Sequence, residues 1–235
     1  RNLSPLSWRN NMPIVVTTTS PTPATMTRSA MVSEVTNYVL LPEDGEAQAR
    51  AVEGLNDAIR YLNMRNWNWS LTRQAITLVA DTAEHGLAAS FKGPRAAELL
   101  DSSSNAKDRL GWFLPRTFID AYNDRSTSGT PDGYTVFDEQ ARGKVTLSCP
   151  CSSGFVSSYP TLRLWYFARL AYLTTDGDQA IEAPSEVCGF ILWHAKMLIA
   201  SIYDKTSLGM AKQMRDEVWR MLVRDDVAGQ LGDWA

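Results

Sequence analysis

The stretch LNDAIRYLNMRNWNW at residues 55–69 starts as an amphipathic helix and ends with two tryptophans, Trp67 and Trp69. Residues two apart share one face of a strand, whereas they lie on different faces of a helix. The spacing therefore predicts that the helix ends near Asn66 and that a strand starts there. We expect the two indoles to form a structural junction that holds a helical part and a β part at a fixed angle.

Helical periodicity appears on both sides of a long β region. Upstream, apolar residues recur at helical spacing in a short segment at 29–40 and again from about Glu46 to Asn66. Downstream, the period of 3.6 returns after Pro184, a residue favoured in the first turn of a helix. A last helix is expected at about 206–225. The two C-terminal helices then form an antiparallel hairpin over residues 184–225.

Residues 67–176 change to the period of two that is typical of strands. Gly and Pro separate the alternating segments, which are WNWSLTRQAITLVA, LGWFLP, TPDGYTVFDE, ARGKVTLSCP and TLRLWYFARLAYL. Residues 85–110 are rich in turn formers, and we expect one short helical piece around 94–100. This region is therefore predicted to be an antiparallel β region with short connections.

The order of these elements predicts an α+β fold. The helices at 31–66 and at 184–225 lie far apart in sequence, and they can bury their apolar faces most simply on each other. The prediction is a helical bundle, made of N-terminal helices and a C-terminal helical hairpin, with the β region inserted between its halves. The folded domain would span 31–226, between an extended N-terminal arm at 1–30 and a C-terminal tail at 227–235.

The arm at residues 1–30 differs in composition from the rest of the chain. Its segment TTTSPTPAT combines Thr, Ser and Pro, which disfavour a helix and a central strand. Because such a segment cannot build a core, we expect it to run in extended form over a neighbouring subunit or another partner. The alternative is that it lies on its own domain. Candidate interface residues are Leu3, Leu6, Trp8, Ile14, Val15 and Val16 in the arm, and Trp234 in the tail.

Composition excludes several classes of protein. With 235 residues, 44% hydrophobic and 21% charged, the chain has the balance of a folded globular protein. A net charge of −3 provides no basic surface for tight binding of nucleic acid. We expect no membrane association, since no apolar run approaches the roughly 20 residues that cross a bilayer. Three cysteines are too few for a disulfide framework and indicate a reducing compartment.

Residue types that carry catalysis or bind metals are sparse. Cys149, Cys151, Cys188 and His194 could supply four metal ligands, yet the first two flank a proline and lack the C-x2-C spacing of structural zinc sites. Ser152 and His194 could enter a Ser-His-Asp arrangement, but the G-x-S-x-G motif is absent. The glycine loops that bind phosphates and dinucleotides are absent as well. We predict no enzymatic activity, no cofactor and no metal.

Tryptophans of the β region leave a second class of function open. Trp67, Trp69, Trp112 and Trp165 fall within it, and aromatic rings on a sheet face can bind sugars. A non-catalytic carbohydrate- or receptor-binding module is therefore the main alternative to a structural protein. A small hydrolase or metalloenzyme is the third hypothesis.

Several short motifs occur in a particular order along the chain. They are LNDAIRYL at 55–62, Trp67-Asn68-Trp69, Leu114-Pro115, GTPDGYTV at 129–136, VTLSCP at 145–150 followed by Cys151-Ser152, the strand at 162–166, Leu173-Thr174 and two C-terminal helices. In this order and spacing the chain resembles the head-to-tail adaptor (connector) proteins of tailed bacteriophages. The resemblance covers about residues 31–226.

The resemblance implies a structural virion protein that assembles in the host cytoplasm. It implies a homo-oligomeric ring, expected to be a dodecamer, that is seated beneath the portal protein in the neck. Such a ring extends the channel through which genomic DNA passes without sequence-specific binding. It also links the head to neck or tail proteins.

A first prediction concerns the three cysteines. We expect Cys149, Cys151 and Cys188 to be neither disulfide-bonded nor metal-bound, because their spacing fits neither role. Replacing all three by Ser or Ala should therefore leave assembly intact, apart from a modest loss of packing. Native mass spectrometry of the triple variant and metal analysis of the natural protein test this, and one zinc per chain would contradict it.

Overall fold

Within residues 24–122, 126–137, 143–174 and 177–232, which the computed structural model describes, the chain forms six α-helices and nine strands. The helices are α1 (Arg28–Tyr38), α2 (Gly45–Asn63), α3 (Pro115–Ala121), α4 (Ser153–Ser158), α5 (Ser185–Tyr203) and α6 (Leu208–Gly232). The strands are β1 (Ala24–Thr27), β2 (Leu71–Thr77), β3 (Glu84–Gly86), β4 (Phe91–Leu100), β5 (Ala106–Trp112), β6 (Gly133–Phe137), β7 (Lys144–Leu147), β8 (Thr161–Ala168) and β9 (Ala180–Ala183). A 3-10 turn at Asn68–Ser70 precedes β2.

The helical layer consists of α1, α2, α5 and α6, with β1 and β9 paired antiparallel beside them. Thr27 and Asp44 are the N-cap residues of α1 and α2. The side-chain oxygen of Thr27 accepts a hydrogen bond from the amide of Ala30, and that of Asp44 accepts one from the amide of Ala47. Such caps satisfy backbone donors that a helix leaves unpaired at its start. The layer encloses one hydrophobic core, which includes Met31, Val35, Leu55, Ile59, Leu62, Trp67, Phe190, Ile191, Ile199 and Leu222.

Helices α2 and α5 approach closely at a glycine. A Cβ atom placed on Gly54 would lie 3.1 Å from the Cα of Ala195 and 3.3 Å from its Cβ. The buried face of α2 is otherwise made largely of alanines and medium-sized aliphatic residues at helical spacing. Small side chains at the crossing therefore set the distance between the two helices.

The β part is a seven-stranded mixed sheet in the order β2-β8-β4-β5-β6-β7-β3. Neighbouring strands are antiparallel except β5 and β6, which are parallel. The sheet curls until its two end strands are bridged by the Gln74 side chain of β2. That amide donates to the carbonyl of Gly86 in β3 (3.3 Å) and accepts from the amide of Ala88 (2.9 Å). The curl encloses a second hydrophobic core, which includes Ile76, Leu99, Tyr134, Val145, Leu147, Phe155, Leu162 and Leu164.

The predicted helical bundle with an inserted antiparallel β region is wrong. The β part is a large curled sheet with its own core, and one of its strand pairs is parallel. The four long helices lie close to their predicted positions and pack together, but they form one layer beside this sheet. Residues 24–27, which the sequence assigned to the arm, form β1 in the helical layer.

Two local predictions are also wrong, for physical reasons. Residues 94–100 were expected to be helical because they contain Ala, Glu and Leu, yet they belong to β4. Since β4 pairs with β8 on one side and β5 on the other, tertiary context overrides local propensity there. The strand expected from Trp67 starts only at Leu71, after the 3-10 turn.

Helix α5 is the most apolar helix of the described chain. With 19 residues and a mean hydropathy of 1.3 it could cross a membrane by length and composition alone, contrary to the expectation that no segment would qualify. In the fold it packs against α1, α2 and α6, and 56% of its apolar window is buried. It is the central helix of the helical layer.

We predict that Gly54→Leu destabilises the fold by about 1–3 kcal/mol, as overpacking of a close contact does. The added side chain would press on the backbone of Ala195. Gly209→Leu is the matched control, because a Cβ on that helical glycine meets nothing within 4 Å. Urea unfolding of the two variants measures the difference, and equal stabilities would contradict the close crossing.

Candidate functional site

The connector at 64–70 joins α2 to β2, and we call it, together with the residues of α6 that contact it, the junction. Trp67 is 1% exposed, and its indole N–H donates to the carbonyl of Leu62 at 2.8 Å. Its own carbonyl accepts from the hydroxyl of Ser70 at 2.7 Å. The Leu62 carbonyl lies in the last turn of α2 and also accepts from the backbone amide of Arg65 at 3.3 Å, so Trp67 adds a second donor where the chain turns.

An aromatic cluster surrounds Trp67. The Trp69 ring stacks on it with centroids 6.4 Å apart, and Trp219 of α6 meets it edge-on at 5.4 Å. Trp219 in turn contacts Tyr61 of α2 at 4.9 Å and Phe190 of α5 at 5.1 Å. Side chains from α2, α5, α6 and the connector therefore form one aromatic cluster. Each ring pair in it contributes on the order of 1 kcal/mol to stability beyond the area that it buries.

A buried carboxylate ties α6 to the connector. The Asp226 side chain is fully buried and accepts from the backbone amide of Asn68 (2.7 Å) and from the guanidinium of Arg65 (3.1 Å). The Asn68 side chain donates to the backbone carbonyl of Asp226 at 3.0 Å. Arg65 also lies over the Trp67 ring, 4.7 Å from its centroid. Because hydrogen bonds to a charged group are stronger than neutral ones, this carboxylate fixes the position of the connector.

Side-chain amides on α2 hold the chain that leaves the sheet. Asn63 donates to the carbonyl of Leu170 and accepts from its amide, both at 2.9 Å. Asn56 pairs in the same way with Leu173, at 2.9 and 2.8 Å. Residues seven apart lie two turns apart on one helical face, so these amides fasten the segment after β8 along α2. The segment that leaves β8 is thus held against the helical layer by four hydrogen bonds.

Lys92 of β4 makes a further contact between the layers. Its ammonium group donates to the backbone carbonyl of Arg65. Burial lowers the pKa of Lys92 from its ordinary value, and the nearby charge of Arg169 lowers it further. The sheet, the connector and α6 are thereby linked through Arg65, whose carbonyl faces β4 while its guanidinium faces Asp226.

Residues that were considered for catalysis or metal binding are divided between the β part and the helical layer. Ser152 caps α4 by accepting from the amide of Phe155, and Cys151 is buried in the sheet core. Cys188 and His194 lie in the helical layer. All three cysteines are free thiols, and the described residues hold no group of three or more His, Cys, Asp or Glu arranged for a metal. The structure therefore does not bring the candidate residues together.

The protonation states of these groups follow from burial. Burial raises the pKa of the Cys151 thiol to about 11, so the thiol is protonated at neutral pH. Burial lowers the pKa of His194, although Asp57, whose carboxylate lies 3.0 Å from Nε2, opposes that change. Burial likewise raises the pKa of Tyr134 to about 12. These are the properties of buried core groups, since a nucleophilic thiol has a lowered pKa.

The four tryptophans of the sugar-binding hypothesis do not form one exposed platform. Trp67 is buried and Trp69 is partly buried against it. Trp165 donates to Glu98 at 3.1 Å, and the guanidinium of Arg73 lies 5.9 Å from its ring centroid. Trp112 is 50% exposed. A flat stacking surface for a sugar would need several exposed rings side by side.

Sequence reasoning missed the polar residues that build the junction, although signals for some of them are present. Asp226 follows Val218 and Leu222 at intervals of four, so it lies on the apolar face of α6, where a carboxylate is rarely buried without a partner. Asn56 and Asn63 stand seven apart on α2. The candidate interface residues Leu3, Leu6, Trp8, Ile14, Val15, Val16 and Trp234 lie outside the described residues.

The fold and the junction define an α+β protein in which polar residues hold the connector between a helical layer and a curled sheet. Residues 26–232 match the family described as SU10 adaptor protein, a family of phage head-to-tail adaptors, and the chain belongs to it. The family predicted from the motif order is confirmed. No curated protein sequence matches the chain significantly. The protein is therefore a bacteriophage adaptor and a virion component that associates with head or tail proteins.

We predict that Trp67→Ala costs about 3–5 kcal/mol of stability, as large-to-small changes of buried aromatics do. Trp69→Ala should cost less, since this ring is partly exposed and its indole N–H has no hydrogen-bond acceptor among the described residues. Chemical denaturation of both variants tests the order. Near-neutral behaviour of both would mean that the indoles do not hold the junction.

Proposed function

We propose that this chain is the subunit of a ring of about twelve copies that is seated beneath the portal protein in the neck of the virion. The ring extends the channel for genomic DNA and links the head to neck or tail proteins. The subunits assemble in the host cytoplasm before the ring joins the head. Membership of the adaptor family supports the proposal, and the junction is the structural observation that carries it.

A closed ring places a geometric demand on each subunit. Its two lateral surfaces differ, and for twelve copies they must be related by a rotation of about 30°. A hinge between the helical layer and the sheet would let that angle vary, so that rings of different size or open filaments could form. Contacts at both chain crossings oppose such a hinge. Asp226 and Trp67 hold the connector on the helical layer, and the two asparagines of α2 hold the segment after β8. From the sheet, Lys92 of β4 donates to the carbonyl of Arg65 in the connector.

Exposed apolar side chains provide candidate surfaces for contact with neighbours. They include Trp112 at the end of β5, Leu114 just before α3 and Ile119 within α3, which are exposed by 50%, 58% and 52%. A short stretch that exposes three large apolar residues fits a protein that buries them in an assembly. The net charge of −3 is compatible with a channel through which DNA slides without tight binding.

Native mass spectrometry of the purified protein, alone and with the portal protein of the same phage, tests the proposal. We expect a closed oligomer near twelve copies, either alone or once the portal is present. A monomer under both conditions would contradict the ring. Electron microscopy of the same samples shows whether the oligomer encloses a central channel and stacks on the portal.

The arm is proposed to be an assembly element rather than part of the subunit core. Because β1 starts at Ala24 and belongs to the helical layer, a deletion of residues 1–22 removes the arm and leaves β1 intact. We predict that this truncated protein keeps a nearly unchanged melting temperature but assembles or docks poorly. Differential scanning calorimetry and native mass spectrometry measure the two properties. A large drop in melting temperature would instead mean that the arm lies on its own domain.

A further inference from the structure

Leu40 is an exposed leucine in a backbone conformation that leucine disfavours. It follows the C-cap of α1 with a φ of 60°. Its amide donates to the carbonyl of Asn37 at 3.1 Å, and the amide of Leu41 donates to that of Thr36 at 3.0 Å. These two bonds form a Schellman motif, in which the left-handed residue is usually glycine. Because its side chain is 86% exposed, Leu40 carries backbone strain without gaining burial in its own subunit.

The chain from Leu40 to Asp44 forms the turn that leads into α2, and we call it the Leu40 turn. The side chain of Gln48 donates to the carbonyl of Pro42 at 2.7 Å, which holds the turn on the first residues of α2. Asp44 caps the helix, whereas the exposed carboxylate of Glu43 has no ion pair among the described residues. The Leu40 turn therefore presents a large apolar side chain close to an unpaired negative charge.

A pocket of about 290 Å³ lies where the sheet meets the connector. Its apolar lining includes Phe91 and Pro94 of β4, Val136 of β6 and the half-exposed ring of Trp112 at the end of β5. Engineered cavities of about 150 Å³ hold a benzene molecule, so this pocket has room for a leucine side chain.

Two cations, Lys92 and Arg169, line the same pocket. Burial lowers the pKa of Lys92 and the charge of Arg169 lowers it further, so the two like charges act on each other. Arg169 is exposed, and its guanidinium has neither an ion pair nor a hydrogen bond within the described part of the chain. None of the described residues that line the pocket is acidic. The lining therefore suits an apolar side chain accompanied by a carboxylate.

The Leu40 turn and the pocket lie at opposite ends of α2. The turn comes just before Gly45, where the helix begins, whereas Lys92 of the pocket donates to the carbonyl of Arg65, just after the helix ends. The 19 residues of α2 span about 28 Å. Leu40 therefore does not reach the pocket of its own chain. Two different, complementary surfaces on one subunit are what a head-to-tail contact between copies requires.

We infer that Leu40 enters the pocket of an adjacent copy, where Glu43 pairs with Arg169. The inference rests on the proposed ring and adds the two surfaces that meet between its subunits. Leu40 is covered by the apolar lining, and Glu43 supplies the negative charge that the described lining lacks. Burial of the leucine provides affinity, and the charge pair sets the orientation of one copy on the next.

Replacing Leu40 by glycine separates a role in assembly from a role in the subunit. Glycine adopts the left-handed conformation freely, so Leu40→Gly should melt at the same temperature as the natural protein or slightly higher. It should raise the dissociation constant between subunits on the order of tenfold or more, as loss of a buried leucine does. Mass photometry of a dilution series measures association, and thermal melting of the dissociated subunit measures stability.

Ser104→Gly is the matched control for the backbone. Ser104 also has a positive φ, of 65°, and is exposed, but it lies in the turn between β4 and β5. Glycine there should relieve strain in the same way and leave the dissociation constant unchanged.

Exchanging the two charges tests the proposed pair. Glu43→Arg and Arg169→Glu should each weaken association, and the double variant should recover most of the loss, because the pair is then restored with its signs reversed. Glu46→Arg combined with Arg169→Glu is the control. Glu46 is also exposed and lies near Glu43 in sequence, yet this combination should not recover association.

Photo-cross-linking identifies the occupant of the pocket. Copies with p-benzoylphenylalanine at position 40 are assembled with nitrogen-15-labelled copies that lack the probe, and the irradiated oligomer is digested for mass spectrometry. We expect unlabelled probe peptides joined to labelled peptides that contain Phe91 or Trp112. Cross-links to the portal, to another surface or only to peptides of the same isotope would overturn the inference.

Three further outcomes would overturn the inference while leaving the ring proposal standing. They are unchanged association of Leu40→Gly, a lower melting temperature of that variant, which would assign Leu40 to its own subunit, and no recovery in the charge exchange. A protein that stays monomeric with and without portal would overturn the ring proposal, and this inference with it. Native mass spectrometry of the natural protein separates the two kinds of failure.

Discussion

The buried carboxylate of Asp226 is the interaction on which the architecture most depends. It lies on the apolar face of α6, where an unpaired charge would be strongly unfavourable, and it is accommodated because Arg65 and the amide of Asn68 bind it. Removing a partner of such a carboxylate is destabilising, since the buried charge is left uncompensated. The arrangement is directional as well as stable. A purely apolar contact would let α6 slide along the connector, whereas a carboxylate bound by a backbone amide and a guanidinium has one position.

Side-chain amides perform a related task at three other joints. Asn56, Asn63 and Gln74 each donate and accept at once, as a backbone unit does in a sheet. Each therefore pairs with the backbone of a distant segment as a neighbouring strand would. Asn56 and Asn63 hold the chain after β8 on α2, and Gln74 bridges the end strands of the curled sheet. The path of the chain after β8 and the closure of the curl are thus maintained by short polar contacts, while the two cores supply the bulk of the apolar burial. This division of roles suits a subunit whose shape matters more than any single reactive group.

The sequence predicts the elements that carry a strong local period and fails where partners come from far along the chain. Helices α1, α2, α5 and α6 were predictable because their apolar residues recur at helical spacing. β4 was not, since Ala96, Ala97 and Glu98 favour a helix and become a strand only between β8 and β5. The two tryptophans lie in the connector between α2 and β2, but the strand expected from Trp67 starts only after a 3-10 turn, and the indole of Trp67 turns back to Leu62. The partners of Asn56 and Asn63 could not be inferred, as they depend on the path of the chain after β8.

The position of β8 inside the sheet has a consequence for how the chain folds. β8 separates β2 from β4, so neither of these earlier strands has its full set of neighbours until residues 161–168 have been synthesised. In the helical layer, β1 pairs with β9 and α2 packs on α5, so both also depend on segments that are synthesised later. Pairings between distant segments form slowly, and apolar faces that stay uncovered meanwhile favour aggregation. The two cores of this subunit therefore close only once β8, β9 and α5 have been synthesised.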